Sequence, residues 1–223
     1  MKQDRVSTGC PPLDDLLGGG LERRAITQIY GESASGKSVF CLLATVATLR
    51  AGNSVVYIDT EGFSVERFVQ IAGEHAEELA DRLYLFEPLD FIQQGAMIAD
   101  SEEVFQKNGP VGLIVVDSAT ALYRTELGLG RETVRTLSHH MVRLLGLAKK
   151  YDVPALITNQ IYMDIERDRF AGLGGTALEH ISKAIIRLEK KDSIRQAVLR
   201  KHRSRPEGIS FDFVITESGI RAV

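Results

Sequence analysis

The sequence predicts an α/β protein, a mostly parallel sheet flanked by helices with an antiparallel extension toward the C-terminus. Three observations predict it. From residue 25 to about 158, short apolar runs of strand length alternate with longer stretches of helical periodicity, the pattern of strands buried on both faces and joined by helical crossovers. The sequence Gly31-Glu32-Ser33-Ala34-Ser35-Gly36-Lys37-Ser38 stands between one such run and an apolar helix. After residue 183 the helical stretches stop, and strand-like runs are separated only by short polar turns.

The elements are read in order. Residues 1–24 form a lead-in around one short helix, with turn signals at Thr8-Gly9, Pro11-Pro12 and Gly18-Gly19-Gly20. Ala25 to Tyr30 reads as a strand, and the chain from Val39 onward as a helix. Ser54 to Asp59 is a strand, Val65 to Ala80 a helix, and Leu83 to Phe86 a third strand. Asp90 to Lys107 is expected as one helix, with Asp90 as its N-cap. Val111 to Asp117 is a strongly β-branched strand. Glu132 to Lys150 is a long amphipathic helix, and Val153 to Thr158 a further strand. Ala184–Glu189, Ala197–Lys201 and Ile209–Thr216 are expected to make the antiparallel extension, with Lys190-Lys191-Asp192-Ser193 as a hairpin turn.

Bulk properties narrow the function classes. The chain has 223 residues, 44% hydrophobic and 26% charged, with a formal net charge of −3, a globular composition that excludes a polycation. Contact with nucleic acid would have to come from local patches. Two cysteines, Cys10 and Cys41, are too few for a disulfide framework and suit a reducing compartment. No apolar run approaches a membrane span and the N-terminus lacks a signal-peptide pattern. The expectation is a cytoplasmic protein with no membrane contact.

Gly31 to Ser38 fits Gly-x4-Gly-Lys-Ser, the phosphate-binding loop, in its required setting of strand, loop and helix. Glycines let successive backbone N–H groups point at phosphate oxygens. Lys37 reaches the β- and γ-phosphates, the Ser38 hydroxyl suits Mg²⁺, and the helix N-terminus adds positive potential. The nucleotide-binding set is therefore Gly31, Glu32, Ser33, Ala34, Ser35, Gly36, Lys37, Ser38 and the following Val39.

Sites in open α/β sheets form at the carboxyl ends of strands, and three such ends are polar here. Leu113 to Asp117 ends in an aspartate placed to support Mg²⁺ through water. Asp59-Thr60-Glu61 ends the neighbouring strand, with Glu61 placed to orient or deprotonate an attacking water. Thr158-Asn159-Gln160 ends a later one, and Gln160 can relay the γ-phosphate to the loop that follows.

Four motifs, Tyr57-Ile58-Asp59-Thr60-Glu61-Gly62, Val116 to Thr125, Ile157-Thr158-Asn159-Gln160 and the lead-in Ser7-Thr8-Gly9-x3-Leu13-Asp14-x-Leu16-Leu17-Gly18-Gly19-Gly20, occur in this order. Together they resemble the RecA/RadA recombinases in their archaeal and eukaryotic form, from about residue 5 onward. The resemblance implies a RecA-like P-loop ATPase core that binds ATP and Mg²⁺. It makes Glu61 the catalytic carboxylate, with Lys37 and Gln160 as partners, and Ser38 and Asp117 the metal-holding pair. Arg67 would lie against the adenine, where a planar guanidinium can stack.

The family binds DNA through two loops. The first would run from Arg124 to Arg135, with charge from Arg131 and Arg135. The second would run from Ile161 to Gly175, with Arg167, Arg169 and Phe170, a basic and aromatic combination suited to single-stranded nucleic acid. Asp164, Glu166 and Asp168 dilute its charge. The cluster Lys201-His202-Arg203-Ser204-Arg205-Pro206 stays open between a solvated turn, a DNA-phosphate contact and a trans contact. In the last reading Lys201 and Arg203 reach the γ-phosphate of a neighbouring subunit in a homo-oligomer.

Family recombinases carry an N-terminal DNA-binding domain and a Phe-x-x-Ala polymerisation motif, and neither is read ahead of Met1-Lys2-Gln3. Residues 1–223 are expected to form a single RecA-like ATPase domain. The expected function is a DNA-binding, weakly DNA-dependent ATPase that assists a RecA-type recombinase or other recombination proteins in homologous recombination and repair of DNA damage. The alternative is a nucleotide-gated interaction module that regulates a recombinase or repair nuclease. A phosphotransferase would need an acceptor pocket and a lid, and neither is identifiable.

Overall fold

Two apolar layers with different owners are written into each central strand. In the computed structural model, which describes residues 5–107, 109–126, 131–164 and 169–223, the strand Ser54–Asp59 sends Val55 and Tyr57 into one core and Val56 and Ile58 into the other. Alternation with period two makes this unavoidable once helices cover both faces.

The lead-in pairs β1 (Arg5–Val6) antiparallel with β2 (Leu21–Glu22) around α1 (Pro11–Leu17). Prolines occupy the first turn of α1, and Gly18 closes it in the left-handed conformation. Asp14 ties the lead-in down by accepting from the Ser7 hydroxyl at 2.6 Å and the Thr8 N–H at 2.8 Å.

The main sheet is built from β3 (Ile26–Gly31), β4 (Ser54–Asp59), β5 (Leu83–Phe86), β6 (Val111–Asp117) and β7 (Ala155–Asn159), interleaved with helices. These are α2 (Lys37–Arg50), α3 (Val65–Ala72), α4 (Ala76–Ala80), α5 (Phe91–Asp100), α6 (Glu102–Lys107), α7 (Ala121–Thr125) and α8 (Arg131–Lys150). A separate hairpin, β8 (Ile161–Asp164) with β9 (Arg169–Gly172), leads into α9 (Gly175–Ile181). Then follow β10 (Ser182–Lys191), β11 (Ile194–Lys201), β12 (Ser210–Thr216) and β13 (Gly219–Ala222). The nine-stranded order is β13-β12-β11-β10-β3-β7-β6-β4-β5, parallel from β10 to β5 and antiparallel from β10 to β13. The carboxyl ends of β3, β4, β6 and β7 therefore open at one end of the sheet. Residues of α1, α2, α3 and α4 pack in one core, and α5 to α9 contribute to the other.

The helix expected over Val65–Ala80 divides at Gly73, whose φ of 64° ends α3 in a conformation L side chains avoid. The helix expected from Asp90 divides at Ser101, whose hydroxyl donates back to the Ile98 carbonyl at 2.8 Å. Asp90 is the expected N-cap, accepting from the Gln93 N–H at 2.7 Å. The first of the expected extension strands, β10, runs parallel to β3, because α9 supplies a helical crossover. Among the described residues, no helix is long and apolar enough to cross a membrane.

Candidate functional site

The turn between β3 and α2 sets the site's geometry. Gly36 has φ 105° at the N-cap of α2, a region glycine enters without cost. A Cβ at Gly31 would meet the Leu188 carbonyl at 2.5 Å and the Ser35 hydroxyl at 2.9 Å, so both glycines are steric requirements. The Lys37 ammonium donates to the Gly31 carbonyl at 3.0 Å and the Glu32 carbonyl at 2.8 Å. Burial lowers its pKa, opposed by the nearby Glu61 and Asp117 carboxylates. The buried Ser35 hydroxyl has no protein partner.

Asp117 ends β6 and is 3% exposed. Its two oxygens accept from the Tyr57 hydroxyl at 2.9 Å and the Thr158 hydroxyl at 2.5 Å. Neutral donors from both neighbouring strands thus fix the carboxylate without neutralising it. Its proximity helps push the Tyr57 phenol well up, after burial. Asp59 ends β4, accepts from the Gly62 N–H at 2.7 Å, and is pushed up to about 6, chiefly by burial. Ser38, Val39, Tyr57, Asp59, Arg67 and Asp117 share a cavity of about 250 Å³ with Leu42, Gly62, Phe63 and Ser64.

Arg67 lies on α3, whose N-cap Ser64 accepts its N–H at 3.2 Å. Its guanidinium donates to the carbonyls of Thr216 at 2.6 Å, Glu217 at 2.7 Å and Gly219 at 3.2 Å. In-plane donors are thereby spent on the turn between β12 and β13.

A second cavity of about 130 Å³ is lined by Gly31, Ser33, Ala34, Lys37, Glu61, Arg124, Gln160 and Ile161. Here the Gln160 side-chain amide donates to the Glu61 carboxylate, across 99 residues of chain. The Gln160 N–H reaches the Thr120 hydroxyl at 3.1 Å, and that hydroxyl donates to Asn159 at 2.8 Å. Asn159 in turn donates to the Leu173 carbonyl at 2.9 Å, and the Leu173 N–H bonds the Gln160 carbonyl at 2.8 Å. Both ends of the β8–β9 hairpin are therefore pinned at Gln160.

The structure thus gathers Gly31 to Ser38, Glu61, Asp117 and Gln160 at one end of the sheet. It places the expected DNA contacts less simply. Arg124 is on α7 and Arg135 on α8, and the backbone of Arg131 starts α8, so much of the expected first loop is helical. The backbone of Arg169 and Phe170 lies in β9, their side chains lie outside the described residues, and Arg167 lies outside them altogether. Lys201 and Arg203 do not act as one group. The Lys201 ammonium donates to the Glu179 carbonyl at 2.5 Å beside a cavity of about 520 Å³, while Arg203 pairs with Glu22 at 3.1 Å and lines a different one. Sequence reasoning missed Tyr57, Asp59 and Thr158. Their one signal was a polar group inside an otherwise apolar strand end.

The residues present fit a nucleotide with its metal. The loop is a cradle that a Cβ would fill, the unpartnered Ser35 hydroxyl lies in it, and an oxygen-only pair, Ser38 and Asp117, borders the adjoining cavity. A glycine loop at the carboxyl end of a parallel strand, with an aspartate two strands away, defines a P-loop nucleotide-binding protein of RecA-like fold. More narrowly, the chain belongs to the Rad51 family, whose model matches residues 2–223. It is 81% identical over 225 residues to the DNA repair and recombination protein RadB of Methanoculleus marisnigri, covering 100% of both chains. It is 41% identical to the protein of that name from Archaeoglobus fulgidus, covering 99% of each. A crystal structure of the RadB recombinase superposes with a TM-score of 0.84 at 40% identity, covering 98% of this chain and 99% of the other.

Proposed function

We propose that this chain is an ATP- and DNA-binding accessory protein of homologous recombination and DNA repair, located in the cytoplasm and acting as a single RecA-like ATPase unit with weak, DNA-dependent hydrolysis. The observation that carries this reading is the Glu61–Gln160 contact over the cavity that holds Lys37. It brings a proton acceptor and the root of the second loop into contact at a cavity that the phosphate-binding loop also lines.

Each residue then has a task. The loop N–H groups and Lys37 hold the phosphates, and Lys37 exchanges its two carbonyl partners for phosphate oxygens. Ser38 and Asp117 would hold Mg²⁺, which when bound neutralises charge on the β- and γ-phosphates. Glu61 orients a water and accepts its proton. The Arg67 ring of donors is held in plane by carbonyls, leaving its face for the adenine. A γ-phosphate in the smaller cavity competes for Gln160, and the freed amide alters the root of the β8–β9 hairpin, which supports single-stranded DNA contacts by Arg167, Arg169 and Phe170.

Fluorescent single-stranded DNA titrated with and without ATP, across a salt series, tests this. The expected result is salt-sensitive binding that ATP strengthens, with the ATP effect lost in Gln160→Ala and nucleotide binding lost in Lys37→Ala. DNA binding indifferent to ATP in the wild type would refute the coupling.

A further inference from the structure

A basic cleft lies at the end of the sheet opposite the nucleotide. It has a volume of about 490 Å³, and every described residue lining it is charged: Arg5, Arg23, Arg24, Lys149 and Arg203 against Glu22 and Asp152. Five cations against two carboxylates leave a surplus of three positive charges on a chain whose net charge is −3. Arg23 and Arg24 precede β3, Lys149 lies in the last turn of α8 and Asp152 precedes β7. The cleft is thus at the amino ends of the parallel strands, a six-residue strand away from the phosphate loop, about 20 Å.

Two of the five cations are positioned by neutral groups. Arg5 donates to the carbonyls of Leu17 at 2.7 Å and Gly20 at 3.1 Å, and Arg23 donates to the Asp152 carbonyl at 2.7 Å. Backbone carbonyls fix a guanidinium and leave its full charge. The Arg203–Glu22 pair at 3.1 Å is half exposed on the arginine side and can open at little cost. Burial and the neighbouring Arg5 lower the pKa of His202, against an opposing pull from Glu22.

We propose that this cleft binds the sugar–phosphate backbone of duplex DNA, independently of nucleotide. The choice of a nucleic acid rests on the DNA-binding reading above; the choice of duplex rests on the lining. Among the described residues the lining has no aromatic or aliphatic side chain, and so provides no stacking platform for exposed bases and no apolar anchor of the kind that protein partners use. Guanidinium forks match phosphate oxygens, and in a duplex the backbone is what is presented. Single-stranded DNA at the second loop and duplex DNA at this cleft would engage opposite ends of one sheet.

The test compares wild type with Arg24→Ala/Lys149→Ala, two exposed side chains with no hydrogen bond or ion pair among the described residues. Unchanged ATP affinity and an unchanged thermal melt serve as folding controls. Fluorescent duplex and single strand of equal length are titrated in a salt series, with and without ATP. The expected result is a duplex slope of log affinity against log salt flattened by about 1.8, about 0.9 per lost phosphate contact. Single-strand affinity should be unchanged, and ATP should not alter duplex binding. Unchanged duplex affinity and slope in the variant would overturn the proposal. So would displacement of the duplex by a polyglutamate peptide at equal concentration of charge, which would make the cleft an acidic-protein surface. Loss of ATP-dependent single-strand binding in Arg167→Ala/Arg169→Ala reports on the second loop alone, so the two readings fail separately.

Discussion

At the residue scale, the roles proposed for Glu61 and Gln160 differ by chemistry. A carboxylate accepts a proton, and the amide that touches it only donates and accepts hydrogen bonds. Glu61→Gln keeps the shape and removes the base, so ATP should still bind while hydrolysis falls by about 10²–10⁴-fold. Single-turnover phosphate release measures this, and full hydrolysis in the variant would move the base elsewhere. Of this site, the loop and the two carboxylates were legible because each is a short motif at the end of an apolar run. The hydroxyls that steady Asp117 were not: Tyr57 lies 60 residues away and Thr158 lies 41. Only strand order brings them together, and strand order is not written in any local pattern.

At the scale of elements, α5 comes close to α8 at Gly95. A Cβ at Gly95 would stand 2.2 Å from His140 Nε2, and His140 packs its ring against Phe91 with centroids 4.6 Å apart. Gly95→Ala should destabilise the fold by about 1–3 kcal/mol, since an imidazole wedged in a core cannot retreat freely. Chemical denaturation reads this out. The same imidazole carries a pH dependence. His140 is 8% exposed, its Nδ1 has no protein partner, and burial pushes its pKa down to about 4 from 6.5. Between these values the unfolded chain takes up a proton that the folded chain refuses, so stability should fall as pH drops from 6.5 toward 4. The loss should reach about 3 kcal/mol at most and shrink in His140→Leu.

Element legibility followed burial. Ser54–Asp59 and Val111–Asp117 have the bounds expected from sequence, because a strand covered on both faces is apolar along its length; the half-exposed edge strand Leu83–Phe86 also has its expected bounds, marked by its aromatic and branched residues. The β8–β9 hairpin was read as loop. Among the described residues its two strands pair with each other and not with the main sheet, and its charged residues interrupt the alternation that marks a strand. Helix α9 was hidden behind Gly174-Gly175, which read as a loop exit and in fact start the helix.

At the scale of the molecule, charge is sorted although its total is small. A chain at −3 whose described cleft residues sum to +3 carries its negative excess elsewhere, so a polyanion would be attracted preferentially to one face. The two candidate DNA surfaces predict different salt behaviour. For single strands, Arg167→Ala/Arg169→Ala should flatten the slope by about 1.4, and Lys201→Ala/Arg203→Ala should leave it unchanged. A flattened slope only in the second variant would transfer single-strand binding to that cluster. Altered oligomerisation or ATP turnover there, with a normal slope, would favour a contact between subunits.

The strand order also sets a timetable for biosynthesis. β3 carries the phosphate loop, yet one of its two neighbours is β10, which leaves the ribosome about 150 residues later. The Arg67 guanidinium waits longer still, for carbonyls at 216, 217 and 219. At about 5–20 residues per second, a nascent chain holds a complete Gly-x4-Gly-Lys-Ser sequence for on the order of ten seconds before the strand that flanks it exists. During that interval β3 presents an unpaired edge, the state in which a newborn chain most needs a chaperone.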